Sequence, residues 1–373
     1  MKTCDVLIAG GGIIGGAIAF ELAGLGIRVV LCDSQSPGRE ASWAAAGMLS
    51  PPPDSADAIP LVPLARASLD RYPQFVAAVE EASGLKAYFH AVGAIEALFS
   101  GDAERELSTL IAIHRGLGLS TEALPLDEAF EIEPALGREA RACAILSFEA
   151  CVDNRALTVA VLAAAKSRGV EIRTSSPVES LLCAANRCVG AVVAGERIEA
   201  AHTVIAAGCF SSRIEGTARY APVRPVRGQM VALRSQRVEI GHVLRSEKGY
   251  IVPRGSGLCV AGSTLENAGF EKRVTPSGIN KILSAALEIA PDLADAEIVE
   301  TWCGLRPDTP DHLPVLGPTE VEGLLIATGH HRNGILLTPI TAKLMSDWIA
   351  GAQSILDCDA FSPMRFADAA RIS

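Results

Sequence analysis

Apolar and polar positions near the N-terminus follow the order strand, helix, strand. Residues 5–9 form a short apolar run that ends at Gly10, and residues 14–25 carry apolar side chains at helical spacing. Residues 28–32 repeat the pattern of a buried strand and end at Asp33. The pattern predicts a βαβ unit, which is typical of α/β folds with a parallel sheet.

The pattern changes after this unit. Residues 50–54 read Ser-Pro-Pro-Pro-Asp, which breaks regular structure, so we expect the chain to leave its first domain there. Residues 60–141 show mainly helical, amphipathic periodicity. The α/β pattern returns near Asn154, with a helix expected at 157–168 and strands at 170–174, 189–193 and 203–208.

The next part of the chain has the character of an antiparallel sheet. Apolar runs at 224–233, 250–253 and 258–262 predict its strands, and a glycine-containing turn joins the last two. This change of pattern indicates a second domain. The remaining expected elements are a helix at 276–290, a strand at 298–302, a proline-rich loop at 306–318, a strand at 324–328 and a helix reaching Trp348.

The composition is that of a globular chain. Hydrophobic residues make up 49% and charged residues 20% of the 373 residues, which excludes a disordered or fibrous protein. The formal net charge of −10 argues against nucleic acid and anionic membranes as partners. The ten cysteines form no CxxC pair, and the seven histidines lack zinc-site spacing. We therefore expect a cytoplasmic protein with free thiols and no structural metal.

Residues 10–15 (Gly-Gly-Gly-Ile-Ile-Gly) match the GxGxxG fingerprint between the first predicted strand and helix. There Gly10 permits a tight turn, Gly12 lets a pyrophosphate approach the backbone, and Gly15 lets helix and strand pack closely. Asp33 ends the second strand, where a carboxylate accepts hydrogen bonds from an adenosine ribose. The fingerprint predicts a dinucleotide site, but FAD and NAD proteins share it, so the cofactor stays open at this point.

A run of small side chains at 38–48 would let the backbone lie against a flat ring system, although a close-packed turn would use the same residues. The run strongly resembles the flavin-contacting loop of the glycine oxidase and D-amino-acid oxidase family of flavoenzymes. Further resemblances to that family occur at 223–230, 249–254, 261–264, 304–307 and 329–337. They cover nearly the whole chain in family order and imply FAD, bound non-covalently.

The resemblance implies an α/β fold (α+β overall) with two domains. A Rossmann-like FAD-binding domain would comprise 1–50, 150–215 and 300–373, and a substrate-binding domain with a mixed, largely antiparallel sheet plus helices would comprise 51–149 and 216–299. Besides the three glycines and the acid of the fingerprint, the cofactor would contact Ile13, Ile14, Ser34, Ala41, Ser42, Ala45, Ala46, Gly47, Met48, Val178, Gly208, Gly329, His330, His331, Arg332, Asn333, Gly334, Ile335 and Leu336.

The resemblance also implies a substrate site. Arg306 would bind an amino-acid carboxylate, because a guanidinium is a planar, permanently charged, bidentate donor, and Tyr250 would add a hydrogen bond. Arg332 would lie at the mouth of this site. His330 and His331 invite a role as catalytic base, but their place in the flavin loop favours contact through the backbone.

The implied activity is oxidation of glycine, sarcosine or a small D-amino acid by oxygen, giving the oxo acid, ammonia and hydrogen peroxide. It would serve thiamine thiazole synthesis, and we expect a homo-oligomer. Two alternatives stay open: a D-amino-acid dehydrogenase that passes electrons to another carrier, and a non-catalytic FAD-holding subunit of a larger complex.

Three cysteines bear on the flavin. Cys303 lies near the place where related sarcosine oxidases attach their flavin, but the closer resemblance to glycine oxidases predicts a buried, unattached thiol. Cys183 and Cys188 have the CxxxxC spacing of flavin disulfide reductases. Their position in the middle of the chain predicts core residues instead.

Overall fold

Strands and helices alternate along the chain in the computed structural model, which describes residues 3–51, 58–354 and 356–367. The strands are β1 (Thr3–Ala9), β2 (Val29–Cys32), β3 (Met48–Leu49), β4 (Phe89–His90), β5 (Ala94–Leu98), β6 (Glu122–Leu124), β7 (Ala142–Leu146), β8 (Ala150–Val152), β9 (Glu171–Arg173), β10 (Val178–Ala184), β11 (Arg187–Val193), β12 (Glu196–Ile205), β13 (Arg224–Arg234), β14 (Val243–Ser246), β15 (Gly249–Gly255), β16 (Leu258–Gly262), β17 (Glu297–Asp308), β18 (Val315–Pro318) and β19 (Leu324–Thr328). The helices are α1 (Ile13–Gly24), α2 (Ala41–Ala44), α3 (Leu61–Ser83), α4 (Ala103–Gly116), α5 (Leu126–Ile132), α6 (Asn154–Ser167), α7 (Pro276–Ile289), α8 (Thr338–Ile349) and α9 (Met364–Ala367).

The first sheet has the N-terminal strand near its centre. Its order is β10-β11-β12-β1-β2-β9, and β19 also pairs with β12 and carries β18. β1 runs parallel to both β2 and β12, and β12 runs parallel to β19. The succession β1, α1, β2 confirms the predicted βαβ unit.

Helix α1 is apolar on nearly all sides because it lies inside the molecule, where it packs against α6 and α8. Its Ile18 and Phe20 belong to the same buried core as Leu64 and Tyr72 of α3. Helix α3 also packs against α6 and α8. We therefore propose that α3 belongs to the same domain as the first sheet, although the sequence analysis placed its residues in the substrate-binding domain.

The second sheet has the order β17-β13-β16-β15-β14-β5-β7-β6. Its neighbouring strands are antiparallel, except that β14 and β5 run parallel. This confirms a mixed, largely antiparallel sheet. Helix α7 packs against β13 and β15 and closes a second core around Leu244 and Ile251. A small sheet of β3, β8 and β4 lies apart from both.

Two stretches differ from the sequence predictions. The region 60–141, expected to be mainly helical, also contains β4, β5 and β6, because β5 is stabilised by its neighbours β14 and β7 rather than by a clear alternation of its own. The expected loop 306–318 has strand at both ends, since β17 extends to Asp308 and β18 occupies Val315–Pro318. Pro307 is tolerated in β17 because that strand is at the edge of the sheet.

Other differences between the predicted elements and those of the structure are smaller. Strand β10 was not predicted, and the last helix begins at Thr338 rather than directly after Gly334. Of the predicted chain break at 50–54, residues 52–54 lie outside the described residues. Among the helices in the described ranges, none combines the length and apolar character needed to span a bilayer.

Candidate active site

A cavity of about 770 Å³ lies between the glycine turn of the first sheet and one face of the second sheet. Three of the predicted site residues, Gly15, Gly329 and Leu336, are not on its wall. The other predicted residues that the wall brings together are Gly10, Gly12, Ile13, Ile14, Asp33, Ser34, Ala41, Ser42, Ala45, Ala46, Gly47, Met48, Val178, Gly208, Tyr250, Arg306, His330, His331, Arg332, Asn333, Gly334 and Ile335.

The three residues behind the wall shape it from outside. A Cβ on Gly15 would lie 2.0 Å from the carbonyl oxygen of Gly10, and a Cβ on Gly329 would lie 2.5 Å from a side-chain carbon of Thr309. Leu336 is buried, and its carbonyl oxygen accepts a hydrogen bond of 2.6 Å from Ser68. Packing therefore calls for a small or buried residue at each of these positions, and their contact with the cofactor stays a prediction.

The glycine turn has the geometry that a phosphate site requires. Gly10 has φ +110°, and a Cβ there would lie 2.4 Å from the carbonyl oxygen of Ala206. The first turn of α1 carries no acidic side chain, so the positive end of the helix dipole is not neutralised locally. The N–H of Ile13 donates to the hydroxyl of Ser42 at 2.9 Å, which joins the turn to α2.

Asp33 is held by backbone donors on both sides. The N–H of Gly11 donates to Oδ2 and the N–H of Gln35 donates to Oδ1, each at 2.8 Å. An ionised carboxylate has about four acceptor positions, so lone pairs remain for ribose hydroxyls. The side chain is half-buried on the cavity wall, as the predicted ribose contact requires.

The loop from Ala45 to Met48 is fixed by two residues that the sequence analysis did not single out. The Arg254 guanidinium donates to the carbonyl oxygen of Ala46 and, at 3.0 Å, to Oδ1 of Asn154. Nδ2 of Asn154 in turn donates to the carbonyl oxygen of Ser42 at 2.8 Å. Burial lowers the pKa of Arg254. Arg254 could have been singled out from the sequence, because it ends the segment 249–254 that resembles the family.

Arg306 lies on strand β17 rather than in a loop. Its Nη1 donates to the carbonyl oxygen of Thr264 at 3.1 Å, and its Nη2 donates to the hydroxyl of Ser263 at 2.7 Å. Burial lowers its pKa, while nearby Tyr250 acts in the opposite direction. The guanidinium occupies the space over Gly228, where an added Cβ would lie 2.2 Å from Nη1. Gly228 is therefore part of this site.

Tyr250 belongs to a row of residues that crosses the second sheet. It is the register partner of Gly262 on one side and of Arg245 on the other, and Arg245 is in turn the partner of Glu96. Arg245 donates to Glu96 at 2.6 Å and to Glu149 at 2.9 Å. Because register partners point to the same face, the cavity continues beyond Tyr250 along an ionic wall.

The two histidines of the predicted flavin loop are poor candidates for a protonated acid. His330 is buried and its Nε2 is 3.1 Å from the hydroxyl of Thr341, and burial lowers its pKa to about 3. Burial lowers the pKa of His331 to about 4, although Asp308 opposes this shift. The N–H of His331 donates to the carbonyl oxygen of Pro307 at 2.9 Å.

The cysteine predictions hold only in part. Cys188 is buried as expected, but Cys183 is exposed, at a register shift between Leu182 and Cys183 in β10. Cys303 is half-buried rather than fully buried.

The residues of the cavity fit FAD. The turn at Gly10, the unneutralised start of α1, the spare acceptor positions of Asp33 and the loop held by Arg254 provide for phosphate, ribose and ring. The first sheet is parallel at its centre and carries the glycine turn, and the second, largely antiparallel sheet lies across the cavity from it. Together they define a two-domain, dinucleotide-dependent oxidoreductase.

Comparison with known families makes this assignment specific. Residues 5–348 match the family described as "DAO: FAD dependent oxidoreductase", and the chain belongs to it. The predicted family, the FAD cofactor and the enzyme class are thereby confirmed.

Individual relatives agree with the family match. The chain is 31% identical to the glycine oxidase of Pseudomonas aeruginosa over 96% of this chain and 98% of that protein. It is 36% identical to the bifunctional protein ThiO/ThiG of Trichormus variabilis over 94% of this chain, and it spans only 53% of that relative's length. The crystal structure of glycine oxidase from Geobacillus kaustophilus superposes with TM-score 0.91 at 32% identity, covering 98% of this chain and 99% of that one.

Proposed function

We propose that the protein catalyses the oxidative deamination of a small amino acid, namely glycine, sarcosine or a small D-amino acid. The products would be the oxo acid, ammonia (methylamine from sarcosine) and hydrogen peroxide. The observation that carries the proposal is that Arg306 and Tyr250 share one cavity with the glycine turn. Relatives named glycine oxidase support the substrate class, and the ThiO part of the bifunctional relative supports a role in making the thiamine thiazole.

Arg306 supplies the carboxylate site. Each terminal nitrogen of a guanidinium carries two N–H groups, and Nη1 and Nη2 each use one of them on Thr264 and Ser263. The guanidinium carries further N–H groups beyond these two bonds, and two parallel N–H groups on one of its edges would fix a planar carboxylate. The two existing hydrogen bonds hold the guanidinium in place before the substrate arrives.

Tyr250 adds a hydroxyl beside that clamp. Its oxygen lies 3.8 Å from the sulfur of Met230, and a Cβ on Gly262 would approach it to 2.8 Å, so the phenol is closely surrounded. The phenol is thereby held beside the clamp, and the relatives named glycine oxidase support a small side chain on the substrate. FAD, when bound, supplies the two-electron acceptor for oxidation of the substrate's Cα–N bond.

Neutral histidines around the cavity suit this scheme. The low pKa values of His330 and His331 keep both imidazoles uncharged at neutral pH. A substrate amine that enters in its neutral form has already lost its extra proton, and the Cα hydrogen would leave as a hydride for the FAD acceptor, so no side chain is needed as a general base. The imine released by oxidation then hydrolyses in water. We further propose that the protein binds FAD non-covalently, is located in the cytoplasm and forms a homo-oligomer.

One relative favours a second candidate. The chain is 28% identical to a protein named hydrogen cyanide synthase subunit HcnC over 98% of this chain, which supports an FAD-holding subunit that works in a larger assembly. A dehydrogenase using another electron carrier is the third candidate. Oxygen uptake separates them from an oxidase.

The test is a substrate panel with two readouts on the FAD-loaded protein. Glycine, sarcosine, D-alanine, D-proline and D-phenylalanine are compared for oxygen uptake with peroxide detection and, under argon, for bleaching of the flavin absorbance. We expect both readouts with at least one small substrate. Bleaching without oxygen uptake would establish the dehydrogenase, and no bleaching with any amino acid would reject the proposed reaction.

A further inference from the structure

Three side chains that can bind a metal converge beside the cavity. Asp308 is at the end of β17, His312 is in the loop that follows, and His331 is in the loop after β19. Each offers one ligand atom, and these atoms all lie within 4.8 Å of one another. The sequence predicted no metal because the histidines lack zinc-site spacing, but the fold brings two of them to one carboxylate.

The carboxylate of Asp308 is divided between two kinds of partner. Oδ2 accepts hydrogen bonds from Nε of Arg224 at 3.0 Å and is 2.9 Å from its Nη2. Oδ1 lies 2.7 Å from Nδ1 of His312 and 3.9 Å from Nδ1 of His331. Arg224 therefore orients the carboxylate from behind, as outer partners of metal ligands do, and Oδ1 faces the two imidazoles.

The two distances from Asp308 to the histidines require only a small adjustment to hold an ion, and the two imidazole nitrogens lie within 4.8 Å of each other. Bonds of about 2.0–2.1 Å in a tetrahedral site place neighbouring donor atoms about 3.3 Å apart. The contact of 2.7 Å would open and the contact of 3.9 Å would close, each by about 0.6 Å. Modest rotations of the imidazoles provide this, and His312 has 54% of its side chain exposed, which gives an ion a route in.

The donor set determines the class of metal. Two imidazole nitrogens and one carboxylate oxygen suit zinc and its transition-metal neighbours, whereas calcium and magnesium take oxygen ligands. We propose that Asp308, His312 and His331 form a binding site for a divalent transition-metal ion, with zinc as the best match. Three protein ligands leave the fourth position to water, as in open zinc sites.

The surroundings make the site reversible rather than structural. Arg224 contacts Asp308, and the positive charges of Arg306 and Arg332 act on His331. These cationic side chains weaken the binding of a metal ion, because the ion is also positively charged. A bound ion fixes His331, whose neighbours Arg332 and Asn333 line the cavity. Occupancy of the site therefore alters the wall of the active site.

The test measures zinc binding directly, without relying on the proposed reaction. FAD-loaded protein without a polyhistidine tag is stripped with a chelator and titrated with zinc by calorimetry and by competition with a fluorescent zinc chelator. The test variant is His312→Ala, which lies outside the catalytic and cofactor machinery. The matched control is His90→Ala, an exposed histidine on β4.

We expect one zinc ion per chain in the wild type and in His90→Ala, and affinity at least about tenfold weaker in His312→Ala. Magnesium should not compete. Equal zinc affinity in wild type and His312→Ala, or no binding at millimolar zinc, would overturn the site. In that case the three residues form only an ion-pair network with Arg224.

Discussion

A single methyl group at Gly228 tests the carboxylate clamp without deleting any of its atoms. In Gly228→Ala, the new Cβ would lie 2.2 Å from Nη1 of Arg306 and 2.5 Å from both Cζ and Nη2. Ordinary carbon contacts begin at about 3.5 Å, so the guanidinium must move by about 1 Å. Its hydrogen bonds to Thr264 and Ser263 cannot both survive that displacement.

The expected cost follows from the size of the movement. A misplacement of about 1 Å at a substrate-positioning group lowers the rate by on the order of 100-fold, so we expect that loss in kcat/KM for the best substrate. The clashing atoms are the end of a flexible side chain, not backbone. The Tm and the FAD content should therefore stay near those of the wild type.

The assay is steady-state oxygen uptake on protein whose FAD occupancy has been measured by absorbance. The matched control is Gly241→Ala, where the added Cβ approaches Glu133 Oε2 only to 3.4 Å, and it should remain fully active. If Gly228→Ala retains near-normal kcat/KM with full FAD, Arg306 does not hold the carboxylate in the position described above.

Three further expectations follow from the same structure. Arg306→Ala should lose on the order of 30-fold or more in kcat/KM and Arg306→Lys should recover only part of it, with FAD bound in both; full recovery of kcat/KM by Arg306→Lys would contradict a bidentate clamp. Acid precipitation should release the flavin into the supernatant, and a yellow pellet would indicate attachment, with half-buried Cys303 the first residue to examine. Burial lowers the pKa of His114, so the unfolded chain binds the extra proton and stability falls as the pH drops below about 6.5; the Tm of His114→Gln should fall less steeply there, whereas an unchanged slope would assign the effect to other groups.

Local pattern was sufficient wherever one segment carries its own signal. The turn at Gly10, the helix after it and the acid at Asp33 were predictable because strand, glycine and helix follow one another in sequence. The position of Arg306 in the cavity was predictable only from the resemblance to the family. On local pattern alone, the adjacent Pro307 indicates a loop rather than a strand. The edge position of β17, which makes that proline harmless, is a property of the whole sheet.

Contacts between distant segments could not be predicted in this way. Nothing near Gly228 in the sequence indicates that the guanidinium of Arg306 lies above it, because the two residues meet only through the pairing of β13 with β17. The same is true of Asn154 and Arg254, which hold the segment from Ser42 to Ala46 from two different elements. Strand β5 was missed because its stability comes from neighbours that arrive much later in the chain.

The pairing of the first sheet has a consequence for how the chain is made. Thr3 is the partner of Glu199, and Thr203 is the partner of Leu324, so the sheet joins the beginning, middle and end of the sequence. During synthesis β1 cannot pair with β12 until β12 has been made. Part of one edge of β12 then has no pairing strand until β19 has left the ribosome. Such late, long-range closure slows folding and leaves unpaired strands exposed to association. The nascent chain is therefore expected to be prone to association until β19 has paired with β12.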